Sequence, residues 1–219
     1  MPPKHPTRNA SVRSKRRRRA DAERSVARIL DAAVDALASD PEASMAEIAR
    51  RAGVVRATIY VHFPTRESLL DAVTKRAIAD VTQAMAGAEP DRGDPAEALQ
   101  RVLTTAWQEL GRFHALVAIN TRRPQAELRR LHRPVLALIQ PLIERGQRDG
   151  TFRPDVPATW HLSMLLALIH AASAEMQAKR LPPAQIESAL VTTALGALSP
   201  PRGRDTTRVG SSGSPRRTR

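Results

Sequence analysis

The chain has 219 residues, 42% of them hydrophobic, a length that suits one generous domain or two small ones built on a buried core. There is no cysteine, which excludes a disulfide framework and thiolate metal sites. No run reaches the roughly 18 apolar residues of a membrane span and no apolar segment follows the basic start, so a cytoplasmic protein without a membrane partner is expected, while the formal charge of +13 points to a polyanion.

Residues 1–20 hold eight basic side chains and no acid, and read as a disordered basic arm. Residues 201–219 hold six arginines and Asp205, within a disordered tail expected over 199–219. The two ends carry the whole net charge, so the body between them is neutral. From Asp21 to Ala38, Val26, Ile29, Leu30, Ala33, Val34 and Leu37 recur at helical spacing, and Asp40-Pro41 ends the helix. Ser44-Met45-Ala46-Glu47 is a capping box, with the serine hydroxyl accepting from the Glu47 N–H and the glutamate reaching back. It opens a short helix to about Arg51, after which Gly53 supplies a left-handed turn. Arg56 to about Phe63 is too short to persist alone. It is expected to be held by Val54, Ile59 and Phe63 on one face, leaving Arg56, Thr58, Tyr60 and His62 off the core. Thr65 is the expected N-cap of a helix from Arg66 to about Ala86 on Leu69, Leu70, Val73, Ala77 and Val81.

Residues 87–95, GAEPDRGDP, form a turn-rich connector and the natural internal boundary. Leu99, Val102, Leu103, Ala106, Leu110, Phe113 and Val117 then make a long apolar stripe. A short helix is expected over 126–132, and another from Pro134 to Arg148, bent at Pro141 and closed by Gly150. Two final helices span 157–179 and 184–198. The first is apolar on more than one face, which predicts burial by its own domain and by a partner chain. No segment alternates with hairpin turns, so the fold class is all-α.

Two short helices joined by a glycine turn, the second exposing polar residues, make a helix-turn-helix unit of the kind that enters the major groove. RILDAA in the first helix, Ser44-Met45-Ala46-Glu47-Ile48-Ala49 in the second and AGVVRATIYVHFPTRESLL beyond it resemble the TetR family of bacterial transcription regulators over about residues 24–75. The resemblance implies an N-terminal three-helix DNA-binding domain over 21–66 and a C-terminal helical domain for effector binding and dimerisation over 67–198, joined through helix 66–86. It implies that Arg56 and Ala57 face base edges, that Thr58, Tyr60 and His62 contact phosphates, and that Thr65 and Arg66 hold another. Val55, where the family commonly has a small polar residue, offers apolar contact, and Arg66 stands where lysine is usual. Ser44 joins the candidate contacts. Lys15, Arg16, Arg17, Arg18 and Arg19 are expected to track the backbone or enter the minor groove.

In the helical domain Trp107, Phe113, Trp160 and Met164 are candidate cavity walls, with His114, Asn120 and Glu109 as polar contacts. Few aromatics and no dense acidic lining favour an apolar or neutral effector over a planar cationic one. His114, His132, His161 and His170 form no ligand pair at helical spacing, so no metal site is expected, nor any cofactor. No nucleophile elbow, phosphate loop or acid–base pair points to an enzyme. The expected function is that of a dimeric repressor, paired through helices 157–179 and 184–198 and released from a near-palindromic duplex operator by a small molecule. A low-specificity DNA-coating protein and a helical lipid-binding protein or enzyme are the alternatives, and neither needs residues 52–66.

Overall fold

The computed structural model describes residues 8–201 apart from 112 and 121–122. Among them are ten helices and no strand: α1 (Arg8–Ser39), α2 (Met45–Arg51), α3 (Arg56–His62), α4 (Arg66–Gly87), α5 (Pro95–Leu110), α6 (His114–Asn120), α7 (Gln125–Leu131), α8 (Arg133–Arg148), α9 (Ala158–Ala178) and α10 (Pro183–Leu198). The all-helical expectation holds. The basic arm differs from it. Between Arg8 and Ala20 the chain is already helical and continuous with α1, because the segment contains neither proline nor glycine and is rich in arginine, a good helix former. Residues 1–7, and those of the basic tail from 202 onward, lie outside the described residues.

Ile29, Ala33 and Leu37 of α1, Ile48 and Ala49 of α2, Ile59 of α3 and Leu69 and Val73 of α4 form one apolar core. A second core joins Val81 and Met85 of α4 to Leu99 and Leu103 of α5, Ile139 and Ile143 of α8, Leu165 of α9 and Leu198 of α10. One helix, α4, thus has its first half in the first core and its second half in the second.

The connector at 88–94 is not a boundary between domains. α4 and α5 pack side by side across it. Two guanidinium groups hold it: Arg101 donates to the carbonyls of Ala88, Glu89 and Arg92, and Arg145 to those of Pro90 and Gly93. Asp94 caps α5, accepting from the N–H of Ala96 at 2.8 Å and of Glu97 at 3.1 Å, with Pro95 in the first turn.

The stripe from Leu99 to Val117 is broken in two. The chain turns after Gly111, and α6 runs back beneath α1, so that Phe113 and Leu116 enter the first core. α8 passes through Pro141, which is exposed. At Gly146 a Cβ would lie 2.1 Å from the Phe152 ring, so this position lets the chain fold back on α8 after Gly150, whose φ is +76°.

Candidate nucleic-acid interface and effector cavity

Ser44 is the N-cap of α2, its hydroxyl accepting from the Glu47 N–H at 3.2 Å. The reciprocal half of the expected capping box is not formed. The Glu47 carboxylate instead accepts from Arg50 and Arg51, the Arg50 side-chain hydrogen bonds being the larger cause that holds its pKa down at about 2. Gly53 turns the chain at φ +63°, and the Val54 N–H returns to the Ala49 carbonyl at 3.0 Å. α3 then starts at Val55, which provides no side-chain cap.

Packing decides which way α3 faces. Ile59 and Phe63 are buried in the first core with Val54 against them, so the opposite side is presented outward. Val55 is 69% exposed, and Arg56, Ala57 and Tyr60 are exposed beside it, while Thr58 and His62 are half-buried at the edges. The Arg56 guanidinium lies 5.7 Å from the centroid of the Tyr60 ring, close enough for a cation–π attraction that restricts its rotamers. Val61, 77% exposed, joins the strip without having been assigned a role. Its signal was present in the sequence: at about 100° per residue Val61 lies nearly opposite Ile59.

Thr65 and Arg66 are engaged within the fold. The Thr65 hydroxyl accepts from the Ser68 N–H at 3.0 Å, and the Ser68 hydroxyl accepts from the Thr65 N–H at 3.2 Å, a complete capping box. Arg66 turns its guanidinium back to the carbonyls of Pro41, at 2.7 Å, and Ala43. The charge expected to hold a phosphate therefore ties α4 to the turn before α2. Lys15, Arg16, Arg17, Arg18 and Arg19 are exposed on the first half of α1, with Arg19 paired to Glu23 at 3.1 Å.

In the helical unit α4, α5, α6, α8 and α9 line an apolar cavity of about 80 Å³. That is several times the roughly 10–15 Å³ one water needs. Of the expected wall residues, Phe113 and Asn120 line it. Trp107 does not: it is buried with Ala172, Ile186 and Leu190 in a third cluster. Met164 packs at the edge of the second core, and Trp160 is 67% exposed. Glu109 is absent from the lining, and the side chain of His114 lies outside the described residues.

Sequence spacing did not reveal the polar wall. His132 and His170 face the cavity, their ring centroids 5.7 Å apart and the rings steeply inclined. Burial pushes His132 below its ordinary pKa, and burial followed by the neighbouring His132 holds His170 at about 4, so both are neutral near pH 7. Asn120 donates to the Thr74 hydroxyl at 3.1 Å and accepts from Arg123 Nε at 2.8 Å. Arg123 in turn pairs with Asp71 of α4 and Glu127 of α7. A polar chain thus leads from the cavity wall to the first half of α4. Among the described residues no three acidic or histidine side chains are placed to hold a metal ion, and no helix is long and apolar enough to cross a membrane.

The family model for bacterial regulatory proteins of the tetR family matches residues 29–73. The HTH-type transcriptional repressor LfrR of Mycolicibacterium smegmatis is 31% identical over 176 residues, covering 78% of this chain and 88% of that protein. The HTH-type transcriptional repressor NicS of Pseudomonas putida is 30% identical over 122 residues, 51% of this chain and 57% of its own length. The crystal structure of LfrR in complex with proflavine superposes with a TM-score of 0.63 at 27% identity, covering 80% of this chain and 97% of that one. The fatty acid degradation regulator FadR of Bacillus halodurans shares the fold, with a TM-score of 0.65 at 20% identity over 78% of this chain and 98% of its own. With its glycine-turned helix pair and its extent of likeness to LfrR, the chain belongs to the TetR family and is a DNA-binding transcriptional regulator of the bacterial type.

Proposed function

We propose that the protein is a cytoplasmic, dimeric repressor that leaves its operator when a small molecule occupies the cavity between α4 and α9. The observation that carries this reading is the double membership of α4. Leu69 and Val73 hold the DNA-binding unit, and Thr74, Ala77, Ile78, Val81 and Met85 line the cavity on the same helix. A ligand that displaces the second half of α4 displaces the platform of α3 with it. Such coupling needs different affinities for the two states and is reciprocal, so operator DNA weakens ligand binding by the same factor.

On the DNA side, Arg56 and Ala57 read base edges, Val55 and Val61 offer apolar contact to thymine methyl groups, and Ser44, Thr58, Tyr60 and His62 meet phosphates. Thr65 and Arg66 act one step back: they fix the entry of α4, whose amino end faces the backbone. Pairing through α9 and α10 is supported by their exposed faces. Ser188, Ala189, Thr192, Thr193 and Gly196 on α10, with Ala171 and Ala174 on α9, are small and uncharged, which permits close helix approach between two copies.

The experiment is selection of bound duplexes from a random library with the full chain. It is expected to return a near-palindromic site, bound by a dimer in sedimentation. The neutral fluorophore Nile red is then expected to weaken that complex, and Val135→Phe, which fills the cavity, to abolish the response while the complex still forms. Enrichment of no sequence overturns the operator reading, and a complex indifferent to occupied cavities overturns induction.

A further inference from the structure

Beside this cavity, a groove of about 530 Å³ runs between the α7–α8 junction and α9. The two hollows share Leu136, Leu162, Leu166 and His170, so the same four side chains face both. The hollows differ in polarity. The cavity is walled almost wholly by apolar side chains, whereas the groove carries Arg129 and Arg133 with Gln140, Thr159 and Ser163. No aspartate or glutamate lines either one. Among the described residues neither Arg129 nor Arg133 has an ion pair, and both are exposed. Asp155, which shares a neighbouring hollow with Arg129, is held by Arg153 at 2.6 Å.

Arg133 stands at the first position of α8, where the positive end of the helix dipole opposes a cation. Arg129 stands in the last turn of α7 and Arg133 in the first turn of α8, and both line the groove with no carboxylate in the lining to balance their charges. An anion in the groove would relieve that repulsion, and the forked guanidinium suits a carboxylate or phosphate.

We infer that the effector is an amphipathic anion, with an apolar chain in the cavity and its carboxylate or phosphate head in the groove between Arg129 and Arg133. This rests on the cavity being the effector site, as proposed above. It departs from a purely apolar or neutral effector, because the sequence alone does not bring the α7–α8 arginines to the mouth of the cavity. The shared His170 sits where chain and head meet.

Calorimetric titration of the full-length protein with four probes of equal chain length tests it: octanoate, octyl phosphate, octanol and octyltrimethylammonium. At least one anion is expected to bind about tenfold more tightly than octanol, and the cation least of all. The preferred head distinguishes carboxylate from phosphate. Raising sodium chloride from about 50 to about 500 mM is expected to erase most of that advantage. The same advantage is expected to vanish in the double variant Arg129→Gln, Arg133→Gln, both exposed positions whose replacement leaves the core intact. Octanol or the cation binding as tightly as both anions, an anion advantage that survives the double variant, or anions that do not bind at all each overturn the inference. Nile red separates this from the wider reading. If it binds wild type and not Val135→Phe, the cavity remains the effector site even where the anions show no preference.

Discussion

Arg56 is exposed on the outward face of α3 and partly ordered, since its guanidinium rests over the Tyr60 ring, and on the proposed reading it meets base edges. Arg56→Ala is expected to cost about 1–3 kcal/mol on the selected operator and much less on random duplex, measured by mobility shift at fixed salt. An equal loss on both would make Arg56 a backbone contact. A second residue-scale expectation concerns acid. Burial depresses His170 to about 4 and pushes His132 and His161 below 6.5, whereas in the unfolded chain each takes its proton near 6.5. Between those values the unfolded state binds more protons, so stability is full above about pH 6.5 and falls as pH drops towards 4. Thermal melts between about pH 7 and about pH 4.5 are expected to show the fall, and His170→Gln to make it shallower. The two kinds of residue differed in legibility. The faces of α3 follow from helical spacing alone, because Ile59 and Phe63 fix the core side. The meeting of His132 and His170 does not, because it depends on how α8 and α9 pack.

At the scale of elements, the starts of α2 and α4 were readable, since Ser44 and Thr65 cap as their chemistry predicts, whereas α1 begins at Arg8, well before the expected Asp21. The failures arose where a local signal competed with a partner from elsewhere. Glu47 prefers two arginines on its own helix to the Ser44 N–H, and Arg66 prefers the carbonyls of Pro41 and Ala43 to solvent. Trp107 has cavity-wall chemistry but points toward α9 and α10 instead. Gly146 carried no sequence cue at all, because its role is defined by Phe152 folding back on it. Gly146→Ala improves helix propensity, yet is expected to destabilise the protein by about 1–3 kcal/mol through overpacking against that ring. Urea unfolding followed by circular dichroism would detect it, and a gain in stability would show that Phe152 moves aside freely.

Taken whole, the molecule is a neutral body with a basic extension at each end. The segment Arg8–Ala20 extends α1 by about 20 Å at 1.5 Å per residue, enough to carry Lys15 to Arg18 well beyond the first core. Deleting residues 1–19 is expected to weaken binding to every duplex and to flatten the dependence of affinity on salt, by close to one unit of slope for each phosphate no longer neutralised. An unchanged slope in a salt titration would remove the arm from the interface. The clamp made by Arg66 has a different kind of consequence. It fastens α4 to the turn before α2 through backbone carbonyls, which any sequence supplies, and it leaves the strip of Val55, Arg56, Ala57, Tyr60 and Val61 structurally unencumbered. On the proposed reading, the DNA-facing strip and the transmitting helix are therefore separable parts. Lineages can rewrite the address without rebuilding the lever, and a chimera given another regulator's strip should obey the same chemical signal at a new promoter.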